Sequence, residues 1–510
     1  MAVLQLQLAP PMFAYRWPGW EVVVGIEVHA QIKSRRKLFS ETLTSTLSEA
    51  PNTHVSPYDA AFPGTLPRLN PTCVKLALRT ALALQSDIHL RSAFDRKHYF
   101  YADLPSGYQI TQQYSPLATG GVLELPNLGT SVRVKQIQLE QDTAKSTFDR
   151  RRKLSHIDLN RAGTGLMEIV SEPDMRSPEQ AAEYVRTLQA LLRAVGSSDG
   201  NMEQGSMRCD VNVSVNRQGE PPGTRCEIKN LNSVKFMMIA IASEVYRHID
   251  LIDAGGTVSQ ETRGFDEDRA ETFRLRSKED APDYRYMPDP NLPPLLLTSK
   301  FIDIARQSMP ELPRATRARL LDVGLTENNV DVLMAVDSGR DIGFDGEMKQ
   351  GAVAYFDALA EGRDPKVVVN WMTHELLGQL MSRNQTFSHN PISVAQMGEL
   401  IDLVQAGTVT GTGGKSVLRH LLDNPSSTSV HTIAEQLGLL ALEAGEETDK
   451  ALNDWCKQAI SALPKEAEAA RKGNERVLNK LVGRVMKLSQ GRVDAIRTKE
   501  VLSGMLVQGK

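Results

Sequence analysis

The chain reads as an α+β protein, β-rich up to about residue 295 and helical from about residue 298. Three observations carry that reading. Before 295, short runs of alternating or β-branched residues are separated by clusters of Gly, Pro and Asn, the texture of strands and turns. After 298, apolar residues recur at helical spacing beneath polar outer faces. Between the two lies DYRYMPDPNLPP, Asp283 to Pro294, whose prolines preclude regular structure after Met287 and mark a domain boundary.

The first strong element is Glu21 to Ile32, a strand centred on VVVGIEVHAQ whose β-branched residues suit a buried sheet. Side chains alternate along a strand, so Glu27 and His29 point the same way. Two ionisable groups aimed together from an apolar strand are costly unless a charge lies between them. A salt-bridged pair at a sheet edge and a divalent metal site both meet that condition. Pro71 to Leu84 follows as a core-packed helix, with Val74, Ala77, Leu78, Ala81 and Leu82 at helical spacing. FDRKHYFYADLPSGYQITQQ, Phe94 to Gln113, joins aromatic rings to Arg96, Lys97 and His98. It is either a core loop with a hairpin or a surface where rings stack on a base and cations meet phosphate.

Val132 to Lys145 alternates as a strand with one slip in phase near Gln136, and it carries Glu140 and Asp142 on one face at its end. Such a pair holds a cation or needs basic partners. A turn beginning at Arg161 leads into the strand Leu166 to Val170, inside which lies Glu168. Ser177 to Val195 is a helix with Ser177 as N-cap, Pro178 as first residue and Gly196 as stop. MRCDVNVSV, from Met207, sets Arg208, Asp210 and Asn212 on one strand face, and RCEIKNLNS, from Arg225, adds Glu227, Lys229 and Asn230. Two such strands make a polar floor, not a solvated exterior. Residues 234 to 254 form a helix ended by Gly255-Gly256, and ETRGFDEDRAETFRLRSKED, from Glu261, reads as a charged, mobile stretch.

Helical periodicity then marks Pro310 to Val323, Thr326 to Ser338, Met348 to Ala360, Val367 to Met381 and Val394 to Ala406. GTGGKS at 411 to 416 is not a P-loop, because the required first Gly falls on Val409 and no strand precedes it. Lys415 instead opens a helix from Ser416 to Leu422. From 465 to 510 there are 11 Lys and Arg against 5 Asp and Glu, and Arg476, Lys480, Arg484 and Lys487 share one helical face. That face is either a solvated stripe or a phosphate-binding surface.

At 510 residues the chain has room for two to four domains. A net charge of −3 exerts no whole-chain pull on nucleic acid or anionic membrane, so any RNA contact comes from a local patch. Cys73, Cys209, Cys226 and Cys456 show no C-x-x-C spacing, against a zinc knot or a disulfide framework. No apolar run approaches the roughly 18 residues that span a bilayer. The apolar segment 1 to 20 is too short and too poor in Arg for a convincing transit peptide.

Taken together, VGIEVHAQ, PGTLPRLN, DRKHYFYADLPSGYQITQ, IQLEQDTAK, IDLNRAGTGLMEIVSEPDM, RCDVNVSV, EIKNLNSVKF and DYRYMPDPNLPP resemble the B subunit of glutamyl-tRNA(Gln) amidotransferase. The resemblance runs in order from about residue 22 to 296 and continues more weakly through NWMTHELLGQL and LNKLVGRVMK. The wording of DRKHYFYADLPSGYQITQQ and QIQLEQDTAKS is similar to the mitochondrial branch. What the resemblance implies is an N-terminal extension (1–20), a β-rich catalytic cradle domain (21–296), a helical domain (297–408) and a helical, tRNA-binding tail domain (409–510). It implies a ligase that uses ATP to phosphorylate the γ-carboxylate of glutamate esterified to tRNA(Gln), and then replaces phosphate with ammonia.

The ammonia would come from an amidase-type A subunit, in a complex that includes a small third subunit, in the mitochondrial matrix and without a membrane span. This chain has no amidase Ser-Ser-Lys signature, which fits ammonia being made elsewhere. By resemblance, Glu27, His29, Glu140 and Glu227 are the catalytic and metal-ligating residues, for magnesium or, given the imidazole, manganese. The polar floor adds Arg208, Lys229 and Arg161 for the ATP phosphates, and the basic face of the tail would meet tRNA. The chain departs from the family pattern at Glu140-Gln141, where bacterial members often have two acids, and in PNTHVSPYDAAFPG, which lacks a Cys pair and so predicts no zinc. Two other readings compete: a non-catalytic tRNA-binding scaffold of the same complex, and a free-standing metal-dependent ligase of a small acid.

Overall fold

Alternation along Trp20–Gln31 builds the central strand: Val22, Val24, Ile26, Val28 and Ala30 are buried on one face, while Glu27, His29 and Gln31 point to the other. The computed structural model describes residues 17–46, 48–149, 151–277, 283–442, 446–471, 474–489 and 491–507. Most of the N-terminal extension, and Lys278 to Asp280 of the charged stretch, lie outside these residues. The chain divides into two compact units, the first running to Thr316 and including Asp341–Lys349, the second comprising Arg317–Arg340 and the residues from Gln350 on.

In the first unit the central strand pairs antiparallel with Gly165–Ser171 on one side and Met207–Arg217 on the other. Outward from Gly165–Ser171 comes Thr130–Gln141; outward from Met207–Arg217 come Cys226–Leu231, Glu261–Asp266 and Glu271–Ser277. Val170 pairs with Gln136 but Ser171 with Val134, a bulge at the predicted slip in phase. Three helices back the apolar face and share its core: Pro71–Ala83, Pro178–Ala194 and Val234–Asp253. Ser177 caps the second, its side chain accepting from Gln180 N, and Gly196 ends it at φ +68°, a left-handed conformation that glycine adopts without strain.

Two expectations fail in this unit. The charged stretch is not mobile where described: Glu261–Asp266 and Glu271–Ser277 form a hairpin on the sheet edge. Its charges are satisfied internally, since buried Glu244 of the third helix lies 3.0 Å from Arg263 Nε and accepts from Thr272 Oγ1 at 2.7 Å. The core also continues beyond the proline-dense stretch, because Ser299–Gln307 is a helix that inserts Ile302 and Ala305 into it.

The second unit is helical, with one apolar core spanning Leu320 to Ala434 and another spanning Leu452 to Leu506. Two predicted helix starts are corrected. The helix expected from Met348 begins at Ala352, because Asp341–Lys349 belongs to the first unit, where Asp345 Oδ1 accepts from Arg35 N at 2.8 Å. The helix expected from Ser416 begins at Gly411, capped by Thr410, so the glycines lie inside it. They serve close packing: a Cβ on Gly414 would come within 2.7 Å of Val404 and 3.0 Å of Trp371.

Candidate active site

The polar face of the sheet is a floor set by register. His29 stands opposite Arg208 on one neighbour and Glu168 on the other, and Glu168 in turn stands opposite Gln138. Glu27, His29 and Glu168 bring one potential ligand atom each to within 4.8 Å of one another. His29 Nε2 is 3.5 Å from Glu27 Oε1, and buried Gln138 donates to Glu168 Oε2 at 2.5 Å, fixing that carboxyl's orientation.

Burial pushes the Glu168 carboxyl well up, and the carboxylates of Glu27 and Glu140 beside it add to the shift. Burial also raises Glu27, but a hydrogen bond with Glu168 and the positive charges of His29 and Lys229 outweigh it, leaving Glu27 below its ordinary value. Two carboxylates and an imidazole in one group form a donor set that fits magnesium or manganese.

Above the floor is a cavity of about 380 Å³ lined by carboxylates, by four cations (Lys97, Lys135, Arg225 and Lys229) and by Tyr284 and Tyr286. Lys97 Nζ sits 3.5 Å from Glu140 Oε2 and 5.3 Å from the centroid of the Tyr284 ring, which packs edge-on against Tyr286. Burial would lower Lys97, but Glu140 and Glu168 hold it well above the ordinary ammonium value. Lys229 lies 2.9 Å from both Asp210 and Glu227, and these carboxylates likewise outweigh burial and keep it charged.

The structure separates the residues named from sequence. Glu27 and His29 meet, with Glu168 as third member. Glu140 and Glu227 stand outside that group, each facing a lysine. Arg208 donates to buried Asp142 at 3.0 Å. Arg161 donates to the carbonyls of Thr143 at 2.9 Å and Ala144 at 2.7 Å, so its guanidinium is engaged by backbone. In the second unit Arg476, Lys480 and Lys487 are exposed and Arg484 half-buried on Glu475–Leu488, opposite buried Leu478, Leu481 and Val485. Sequence reasoning left Glu168 without a role, although its alternation with buried Met167 and Ile169 was the signal that would have found it. Arg225 shares the alternation of Glu227 and Lys229, and Lys135 that of the residues facing away from Val132 and Val134, so the same signal marked both.

A grouped set of acids and an imidazole lies beneath a cavity lined by both carboxylates and cations. Residues 22–303 match the model of the GatB/GatE catalytic domain and residues 354–506 that of the GatB domain, and the chain belongs to this family. It is 59% identical to the B subunit of the mitochondrial glutamyl-tRNA(Gln) amidotransferase from Laccaria bicolor, over 97% of this chain and 93% of that protein. It is 46% identical to the protein of the same name from Mycosarcoma maydis, over 94% and 84%. It is 43% identical to the B subunit of the aspartyl/glutamyl-tRNA(Asn/Gln) amidotransferase from Acidiphilium cryptum, over 95% and 96%.

Proposed function

We propose that this chain is the B subunit of a mitochondrial, ATP-dependent amidotransferase, a ligase that converts Glu-tRNA(Gln) to Gln-tRNA(Gln). In the first step the γ-carboxylate of tRNA-bound glutamate attacks the γ-phosphorus of ATP and ADP leaves. In the second, ammonia adds to the acyl phosphate, inorganic phosphate departs, and an amide remains. The attacking group is already an anion, so the protein need supply no nucleophile; what the reaction demands is alignment and charge neutralisation.

The observation that carries the reading is the convergence of Glu27, His29 and Glu168 beneath a cavity bearing Lys97 and Lys229. Glu27, His29 and Glu168 would hold magnesium or manganese, which when bound draws phosphate oxygens into line and offsets their charge. Glu140 and Glu227 keep Lys97 and Lys229 charged, and Lys229, Arg225 and Lys135 would meet the phosphates. The partners are an amidase-type A subunit that supplies ammonia, a small third subunit, and tRNA(Gln) charged with glutamate, acting in the mitochondrial matrix. No helix among the described residues is long and apolar enough to cross a membrane. The basic face of Arg476, Lys480, Arg484 and Lys487 is the tail's contact with tRNA.

Glu27→Ala or His29→Ala in the assembled complex is expected to abolish formation of γ-phosphoryl-Glu-tRNA while glutamine hydrolysis by the partner persists. Normal phosphorylation by both variants would overturn the site. A pure scaffold would instead lose all turnover on deletion of 465–510, whereas a catalytic cradle retains weak turnover at raised KM for tRNA.

A further inference from the structure

Directly between the two strands that carry Glu140 and Glu168, the chain leaves the sheet as a two-stranded ribbon, Lys145–Asp149 paired with Leu154–Asp158. Its root is clamped. Arg161 donates to the carbonyls of Thr143 and Ala144, and Asn52 donates through its backbone to Asp158 Oδ1 and through its side chain to the Ile157 carbonyl. Its outer part faces solvent among the described residues: Lys145, Ser146, Thr147 and Phe148 on one strand and Leu154, Ser155 and His156 on the other are all exposed. A solitary two-stranded ribbon is marginally stable in water, so a surface that covers it is expected.

The chemistry of the ribbon identifies that surface. Between Lys145 and His156 the sequence KSTFDRRRKLSH holds five Lys and Arg against one acid, in a chain whose net charge is −3. The one acid is used locally, since Asp149 accepts from the backbone N–H groups of Arg151 and Arg152 at the turn. Arg151, Arg152 and Lys153 are exposed. Lys153 takes a left-handed conformation, φ +53°, which Gly or Asn would adopt more easily, so a cation stands at a turn position whose backbone does not favour it. Phe148 is 59% exposed beside these cations, a pairing of ring and charge suited to nucleotides.

We infer that the ribbon 145–158 is an arm that grips the RNA of the aminoacylated substrate near its reacting end. The inference rests on the functional reading above, which brings a polyanion to the cavity from whose strands the arm springs. Five paired residues give it a reach of about 16 Å at about 3.3 Å per residue, from a root whose Gln141, Asp142, Thr143 and Ala162 line a second cavity of about 170 Å³. It is a second cationic surface, separate in sequence from the one on Glu475–Leu488.

The test compares the intact complex with one carrying Arg151→Ala, Arg152→Ala and Lys153→Ala, using Glu-tRNA(Gln) as probe over a range of salt. Loss of three phosphate contacts is expected to make the slope of log K against log salt shallower by about two, and to raise KM for Glu-tRNA on the order of tenfold. The kcat at saturating tRNA and glutamine hydrolysis by the partner should hold. A variant with Arg151→Lys and Arg152→Lys should recover most of the binding, which separates charge from fold. Unchanged salt slope and KM would overturn the arm while leaving the reaction intact. Loss of partner subunits on gel filtration, with tRNA affinity unaltered, would overturn it in favour of a protein contact. Failure of the unmutated complex to bind or convert Glu-tRNA would instead remove the functional reading on which the arm depends.

Discussion

Lys97 shows how one side chain joins stability to chemistry. It is half-buried, and its ammonium is the counter-charge to Glu140, a carboxylate only 3% exposed. Removing one partner of such a pair leaves an uncompensated charge in low dielectric, which costs about 3–5 kcal/mol. Lys97→Met is therefore expected to lower the urea midpoint by that equivalent as well as to abolish phosphorylation, whereas the double variant with Glu140→Gln should recover stability without activity. Chemical denaturation alongside the phosphorylation assay checks both outcomes. Asp142 and Asp210 belong to the same scale. Burial would raise them, but Arg208 and Arg161 hold Asp142, and Lys229 and His29 hold Asp210, below the usual carboxylate value. Because folding lowers these pKa values, the unfolded chain takes up protons first as pH falls. The stability they contribute is present above about pH 4 and is lost as pH drops through the folded values. Urea midpoints measured from pH 6 to pH 3 should fall below about pH 4, and less steeply for Asp142→Asn.

At the scale of elements, the sequence is informative wherever period and punctuation agree. Ser177, Pro178 and Gly196 bracket a helix in the sequence, and the structure finds that helix, because caps act over one turn and need no tertiary partner. The slip near Gln136 is likewise legible, since a bulge shifts alternation locally. Glu261–Ser277 is misjudged for the opposite reason. Its Glu and Arg residues look solvated in one dimension, yet Glu244, outside that stretch, turns Arg263 and Thr272 into interior contacts. Gly411–Asp423 is misjudged because glycine signals a break in isolation, while here Gly413 and Gly414 let the helix approach Val409, Val404 and Trp371. Gly414→Leu is expected to destabilise the second unit by about 1–3 kcal/mol through overpacking, read as a shift of the thermal transition.

For the whole molecule, the alternating strands, the later helices and the resemblance were enough to predict an α+β chain of this family, and the family models bear that out. The extent of the first core was not readable. Ile302, Ala305 and the Asp341–Lys349 segment join the first unit from beyond the proline-dense stretch. A fragment ending at Thr316 should accordingly withstand urea better than one ending at Leu296, and equal midpoints would show that Ser299–Gln307 adds nothing. By itself the sequence determined which residues face a polar floor, since a strand's period of two sorts every side chain to a face. Only the tertiary structure decided which acids on that floor meet. Register across neighbouring strands put Glu168 beside His29 and Glu27, and the packing of the separate strand Asp95–His98 set Lys97 against Glu140, while Glu227 meets Lys229 two residues along its own strand. Register is set by pairings between residues more than a hundred positions apart, and no local pattern encodes it.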